Sequence, residues 1–129
     1  MKIKLCSIFV DEQQKALDFY TDKLGFLPGQ DIPMGEFRWL TVRSPEGGDT
    51  ELVLEPNANP AARTYQAALR EQGIPATAFE VDDIAAEFQR LSALGVEFPT
   101  EPMDAGPVRI AMFTDTCGNL IQIYQPTTE

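Results

Sequence analysis

The chain has 129 residues, 43% of them apolar, with 10 basic and 20 acidic side chains and no histidine. That length predicts one domain with a substantial core, and the net charge of −10 argues against non-specific nucleic-acid binding, which needs a basic patch. Without an imidazole, no histidine ligand is offered to zinc, nickel or iron, and no histidine general base is available.

No stretch is long or apolar enough to predict a membrane span. The segment MKIKLCSIFVDE turns acidic too soon for a signal peptide, so a cytoplasmic location is expected. Cys6 and Cys117 fit reduced thiols there.

In chain order, Leu5 to Val10 reads as a strand, with Asp11 and Glu12 as capping candidates. A helix follows, with Ala16, Leu17, Phe19, Tyr20 and Leu24 at helical spacing, and Gly25 ends it. The segment Gly29 to Glu36 (GQDIPMGE) reads as a loop, either a lid or a plain connection. Arg38 to Val42, the Gly47-Gly48 turn and Thr50 to Pro56 read as a hairpin. Ala61 to Gln72 reads as a helix ended by Gly73.

The same order then recurs. Ala76 to Val81 reads as a strand, followed by Asp82 and Asp83. A helix carries Ile84, Phe88, Leu91 and Leu94 and stops at Gly95; Thr100 to Pro107 reads as a second loop. Arg109 to Phe113, a turn at Gly118-Asn119 and Leu120 to Pro126 read as a second hairpin. Val10-Asp11 and Val81-Asp82 lie 71 residues apart, and Leu24-Gly25 and Leu94-Gly95 lie 70 apart. Each half therefore reads as βαβββ, giving an α+β domain over 1–129 built from two paired modules. These cover about 1–58 and 74–126, joined by a helical connection at 59–73.

Val10-Asp11 through Ala16-Leu17-Asp18-Phe19-Tyr20, Lys23-Leu24-Gly25-Phe26, and Asp115-Thr116-Cys117-Gly118-Asn119-Leu120-Ile121 carry a resemblance. The chain resembles the vicinal oxygen chelate superfamily of glyoxalases, bleomycin-resistance proteins and dioxygenases, over essentially its whole length. The resemblance implies a cup-shaped mixed sheet with helices outside. It implies two histidines and two carboxylates around a metal. Those positions fall on Leu5, Ala76, Gln122 and either Glu51 or Val53. Leu and Ala are no ligands and a Gln oxygen is a weak one, so no metal and no cofactor is expected.

Strand alternation sends Ile8, Val10, Leu52, Leu54, Ile121 and Ile123 to the helix side. It sends Phe9, Phe37, Trp39, Glu51, Met112, Gln122 and Tyr124 to the other side, as an apolar, aromatic and mildly acidic ligand-binding wall. Arg38 and Arg109 occupy matched places in the two hairpins and read as surface residues. The expected function is metal-independent binding of a small molecule, planar or cationic, by a homodimer. The alternative is a metal-free lyase or isomerase with Glu51, Glu55 or Glu80 as general base. No catalytic residue is assigned, and catalysis stays open.

Overall fold

A computed structural model describes residues 1–127. It divides into two compact units, Met1–Gln66 and Ala67–Glu129. The first holds β1 (Leu5–Val10), α1 (Gln13–Asp18), β2 (Leu27–Met34), β3 (Phe37–Arg43) and β4 (Glu51–Pro56). Helix α2 (Pro60–Gln72) crosses the boundary. The second holds β5 (Thr77–Glu80), α3 (Ile84–Ala93), β6 (Thr100–Ala105), β7 (Val108–Thr114) and β8 (Leu120–Pro126). The expected α+β class, with βαβββ twice, is what the chain forms. No helix among the described residues is long and apolar enough to cross a membrane.

Each unit has its own four-stranded sheet, ordered β1-β4-β3-β2 and β5-β8-β7-β6. Both sheets are mixed, because β1 pairs with β4, and β5 with β8, in parallel while the other pairs are antiparallel. The two segments read as loops, Gly29 to Glu36 and Thr100 to Pro107, are mostly the edge strands β2 and β6. An edge position tolerates their Gly and Pro residues, since one side of the strand needs no ladder partner. Both strands slip register, β2 between Pro28 and Asp31 and β6 between Thr100 and Met103. These are β-bulges, and they are why neither segment shows clean alternation.

In the first unit Ile8, Val10, Leu40, Val42 and Leu54 are buried together with Ala16, Phe19 and Tyr20 of the helical segment. Gln13 ties α1 to the sheet: its amide nitrogen donates to the carbonyls of Arg38 (2.7 Å) and Leu54 (2.9 Å), and its oxygen accepts from Arg38 N (2.9 Å). Helix α1 does not stay α-helical. Residues Phe19–Lys23 form a π turn, where the Thr21 hydroxyl donates to the Leu17 carbonyl (2.7 Å) and Leu24 N reaches back to Phe19 O (3.2 Å). A side chain inserted into the helical ladder is a recognised cause of such a bulge. Gly25, at φ +90°, then closes the segment, with Phe26 N bonding Tyr20 O (3.1 Å). Of the capping candidates, Glu12 stands at the N-cap of α1 without a side-chain cap bond, whereas Asp83 accepts from Ala86 N (3.0 Å) at the start of α3.

In the second unit Ile84 and Leu91 of α3 join Phe113, Ile121 and Ile123 in the core. Phe98 bridges Phe88 (4.8 Å) and Phe113 (5.6 Å) between ring centroids. The β7–β8 turn is organised by Asp115, which is fully buried. Its Oδ1 accepts from the amides of Cys117 (2.8 Å) and Asn119 (3.0 Å), and its Oδ2 from the Asn119 side chain (2.8 Å). The same turn holds Thr116 at φ 61°, a left-handed conformation that costs a non-glycine residue energy. Removing the carboxylate takes its acceptor away from three buried donors. Asp115→Ala is therefore expected to lower unfolding stability by about 2–4 kcal/mol, read from the midpoint of urea denaturation, and a loss under about 0.5 kcal/mol would contradict this role for the turn.

Candidate functional site

In each unit one face of the sheet is covered by a helix and the other is not. In the first unit the uncovered face takes the side chains of Leu5, Ser7 and Phe9 from β1, paired with Glu51, Val53 and Glu55 of β4. From β3 it takes Thr41, opposite Val53, and from the β2–β3 pair Ile32 with Trp39 and Met34 with Phe37. Parity decides this. Leu40 and Val42 are 1% exposed beneath the helix, so Trp39 and Thr41 point the other way. Phe9 and Trp39 are half-buried, and Phe37 is 40% exposed.

A chain of hydrogen bonds crosses this face. Trp39 Nε1 donates to Gln30 Oε1 (3.2 Å), Gln30 N donates to Thr41 Oγ1 (2.8 Å), and the Thr41 hydroxyl donates to Glu51 Oε1 (2.5 Å). Lys4 Nζ lies 3.6 Å from Glu51 Oε2. The bulge in β2 makes the chain possible, and Gly29 makes the bulge possible. A Cβ there would overlap the Thr41 hydroxyl and sit 2.7 Å from Glu51 Oε1, so only glycine lets the backbone lie over Thr41. That cover helps bury Thr41 completely, and its cross-strand partner Val53 on the same face is buried as well.

The hydrogen bond from Thr41 holds the Glu51 carboxyl below the usual glutamate range; partial burial opposes it, and the Lys4 ammonium adds to it. The face thus presents an indole, flanked by Phe37 and Ile32, and a carboxylate fixed in its ionised form. Arg38 lies on the opposite, helix-facing side, where its guanidinium makes two bonds to Asp31 (2.7 and 3.0 Å) and one to Gln14 (2.8 Å). The Asp31 bond raises the Arg38 pKa and lowers that of Asp31. In the second unit Arg109 lies 3.3 Å from Asp104.

The uncovered face of the second sheet carries the remaining expected residues. Met112 stands opposite Gln122, Gln122 opposite Ala78, and Tyr124 opposite both Ile110 and Glu80. Met112, Gln122 and Tyr124 are half-buried, and Ala76, Ala78 and Glu80 are exposed.

The ladders show which of Glu51 and Val53 matches Gln122 in the repeat. Gln122 pairs with Ala78 and Met112, and Val53 pairs with Ser7 and Thr41. Ser7 and Ala78, and Thr41 and Met112, are each separated by the 71-residue repeat. Val53 is therefore the counterpart of Gln122. With Val53 in that place, the positions that the resemblance implies for metal ligands carry Leu5, Val53, Ala76 and Gln122, which offer three hydrocarbon side chains and one neutral amide. That set does not fit a transition metal, and no group of three or more His, Cys, Asp or Glu able to hold a metal ion occurs among the described residues.

Sequence reasoning missed Gln30 and Gly29. A glycine interrupting alternation in an edge segment was the signal available, because such a residue marks a bulge or a close backbone approach.

Comparison with known proteins matches this architecture. The protein YurT of Bacillus subtilis (strain 168) is 57% identical over 126 residues, covering 97% of this chain and 99% of its own. The crystal structure of UcmS2 superposes with a TM-score of 0.83 at 29% identity, covering 96% of this chain and 97% of that one. TnmS3, an antibiotic binding protein from Streptomyces sp. CB03234, superposes with a TM-score of 0.79 at 33% identity, covering 98% of this chain and 97% of that one. The family model of the glyoxalase/bleomycin resistance protein/dioxygenase superfamily matches residues 2–123, and the chain belongs to that superfamily.

Proposed function

We propose that the protein is a metal-independent small-molecule-binding protein that takes a planar, cationic ligand on the uncovered face of its first sheet. The observation that carries this reading is the hydrogen-bond chain from Trp39 through Gln30 and Thr41 to Glu51. It holds a flat aromatic surface and an ionised carboxylate on one sheet face. Such a pair suits a ligand that stacks on the indole and places positive charge near the carboxylate. Similarity to TnmS3, an antibiotic binding protein, supports binding over turnover. Metal independence rests on the side chains at Leu5, Val53, Ala76 and Gln122, and a cytoplasmic site of action on the composition.

The alternative is a metal-free lyase or isomerase with a glutamate base. Glu51 argues against that role for itself. An effective general base has a pKa near the working pH, whereas the Thr41 hydroxyl pulls the Glu51 pKa down.

The test uses proflavine, a planar aromatic cation, and the fluorescence of Trp39, the one tryptophan in the chain. Proflavine is expected to quench Trp39 saturably, with the same affinity before and after treatment with a chelator. Trp39→Ala is expected to raise the proflavine Kd, measured calorimetrically, at least about tenfold while the protein still melts cooperatively. Equal affinity in the variant would contradict the reading, as would binding abolished by the chelator.

The pH dependence follows from Glu51. A carboxyl with a depressed pKa stays charged as pH falls and loses its charge only below the usual range. Proflavine affinity is expected to hold from about pH 7 to about pH 5 and to decline only below the free glutamate value of about 4.3. Glu51→Gln is expected to bind weakly at every pH. A decline centred above pH 5 would contradict the assignment of Glu51 as the anion.

We further propose a homodimer. Leu27, Ile32, Met34 and Phe37 leave apolar side chains between 38% and 60% exposed along the β2 edge of the first unit, an edge that a second copy would cover. Light scattering at micromolar concentration is expected to give twice the mass of one 14.3 kDa chain. A mass near that of one chain would refute the dimer.

A further inference from the structure

We infer that Gln30 is a positioning residue for the ligand platform: its side chain, carried on the β2 bulge, fixes the Trp39 indole, and its backbone fixes Glu51 through Thr41. The inference rests on the binding reading above and adds to it a residue that need not touch the ligand.

Three observations support it. The first is the bonding itself. An indole N–H is a donor with no other role, so the Gln30 amide must turn its oxygen toward Trp39, and it does so at 3.2 Å. The Gln30 backbone N–H lies within the register slip between Pro28 and Asp31 and goes to the Thr41 hydroxyl (2.8 Å). A hydroxyl has one proton to give. With its acceptor side met by Gln30, Thr41 aims that proton at Glu51 Oε1 (2.5 Å). The Gln30 side chain also adds a smaller contribution to holding Glu51 ionised. One residue therefore touches both arms of the platform.

The second observation is the other half of the chain, which serves as an internal control. Strand β6 slips register between Thr100 and Met103, as β2 does between Pro28 and Asp31. There the bulge is closed by Thr100, whose hydroxyl accepts from Met112 N (2.8 Å). Ladder register puts Ile110 where the first unit has Trp39, and Met112 where it has Thr41. Leu120 stands where Glu51 stands, facing Thr114 as Glu51 faces Arg43. The same hairpin with the same bulge thus forms with isoleucine in place of the indole, methionine in place of the buried hydroxyl and leucine in place of the Glu51 carboxylate. The chain of bonds in the first unit is not what a bulged hairpin needs in order to fold.

The third is where the residues lie. Gln30 is exposed and Trp39 half-buried on the face away from the helical core. A bond at such a place adds little to folding but removes rotamer freedom from a large side chain before a ligand arrives, which is how preorganisation raises affinity.

The experiment compares two substitutions in the full chain. Gln30→Met keeps the length and removes the acceptor for the indole. Gln30→Glu keeps an acceptor for the indole but sets a second negative charge beside Glu51, which raises the Glu51 pKa. Without ligand, Gln30→Met is expected to increase acrylamide quenching of Trp39, with the melting temperature little changed, and Gln30→Glu to leave that quenching at the wild-type level. With proflavine, Gln30→Met is expected to raise Kd by about tenfold. Gln30→Glu is expected to move the pH at which binding is half lost upward. If both variants match wild type in quenching, affinity and pH profile while Trp39→Ala loses binding, the positioning role is overturned and the binding reading stands. If Trp39→Ala itself binds proflavine as wild type does, both fall. Should Gln30→Met fail to fold, the upward pH shift in Gln30→Glu remains the deciding result, and its absence overturns the proposal.

Discussion

A four-stranded sheet with one helix can bury only one of its faces, and the period-two alternation of strands sends every other side chain to the face left over. In the first unit the buried set is Ile8, Val10, Leu40, Val42 and Leu54. The set that faces away from the helix is Phe9, Trp39, Thr41, Glu51 and Val53, of which Thr41 and Val53 are themselves buried. Because the side-chain period is two, neither set can change without the other. The tie from Gln13 to the carbonyls of Arg38 and Leu54 holds the helix against that sheet. The placement of Trp39 therefore follows from the packing of its neighbours in sequence.

The two halves use this constraint differently. In the second unit the aromatic rings go into the core, where Phe98 packs edge-on against Phe88 and tilted against Phe113. In the first unit Phe19, Tyr20 and Phe26 fill the helix side, and an indole is also set on the open side. Duplicate modules can diverge in this way because the hydrophobic alternation preserves the fold, leaving the uncovered face free to acquire chemistry.

Alternation made much of this readable from the residues alone. Leu40 and Val42 flank Thr41 as Trp39 precedes Leu40, so the facing of each was fixed as soon as the segment read as a strand. The two Val-Asp and Leu-Gly pairs revealed the duplication. What could not be read depended on pairing across strands. Whether Glu51 or Val53 matches Gln122 is a matter of register, and register needs the partner strand. The segment from Leu27 to Met34 carries Pro28, Gly29 and Pro33, which disfavour strand locally; its neighbour β3 overrides that preference. The bulge that brings Gln30 to Trp39 arises where pattern fails, so no pattern announced it. The π turn at Phe19–Lys23 was equally hidden, since the apolar spacing of Ala16 to Leu24 fits an unbroken α-helix.

In the binding mode proposed above, the ligand stacks on the Trp39 indole with its charge toward Glu51. A crystal structure of the protein with proflavine bound tests this most directly. The proflavine rings are expected parallel to the indole, roughly 3.5 Å away as in ordinary van der Waals stacking, with an amino group directed at the Glu51 carboxylate. Proflavine ordered elsewhere, with the Trp39 face uncovered and Glu51 without a ligand contact, would contradict it.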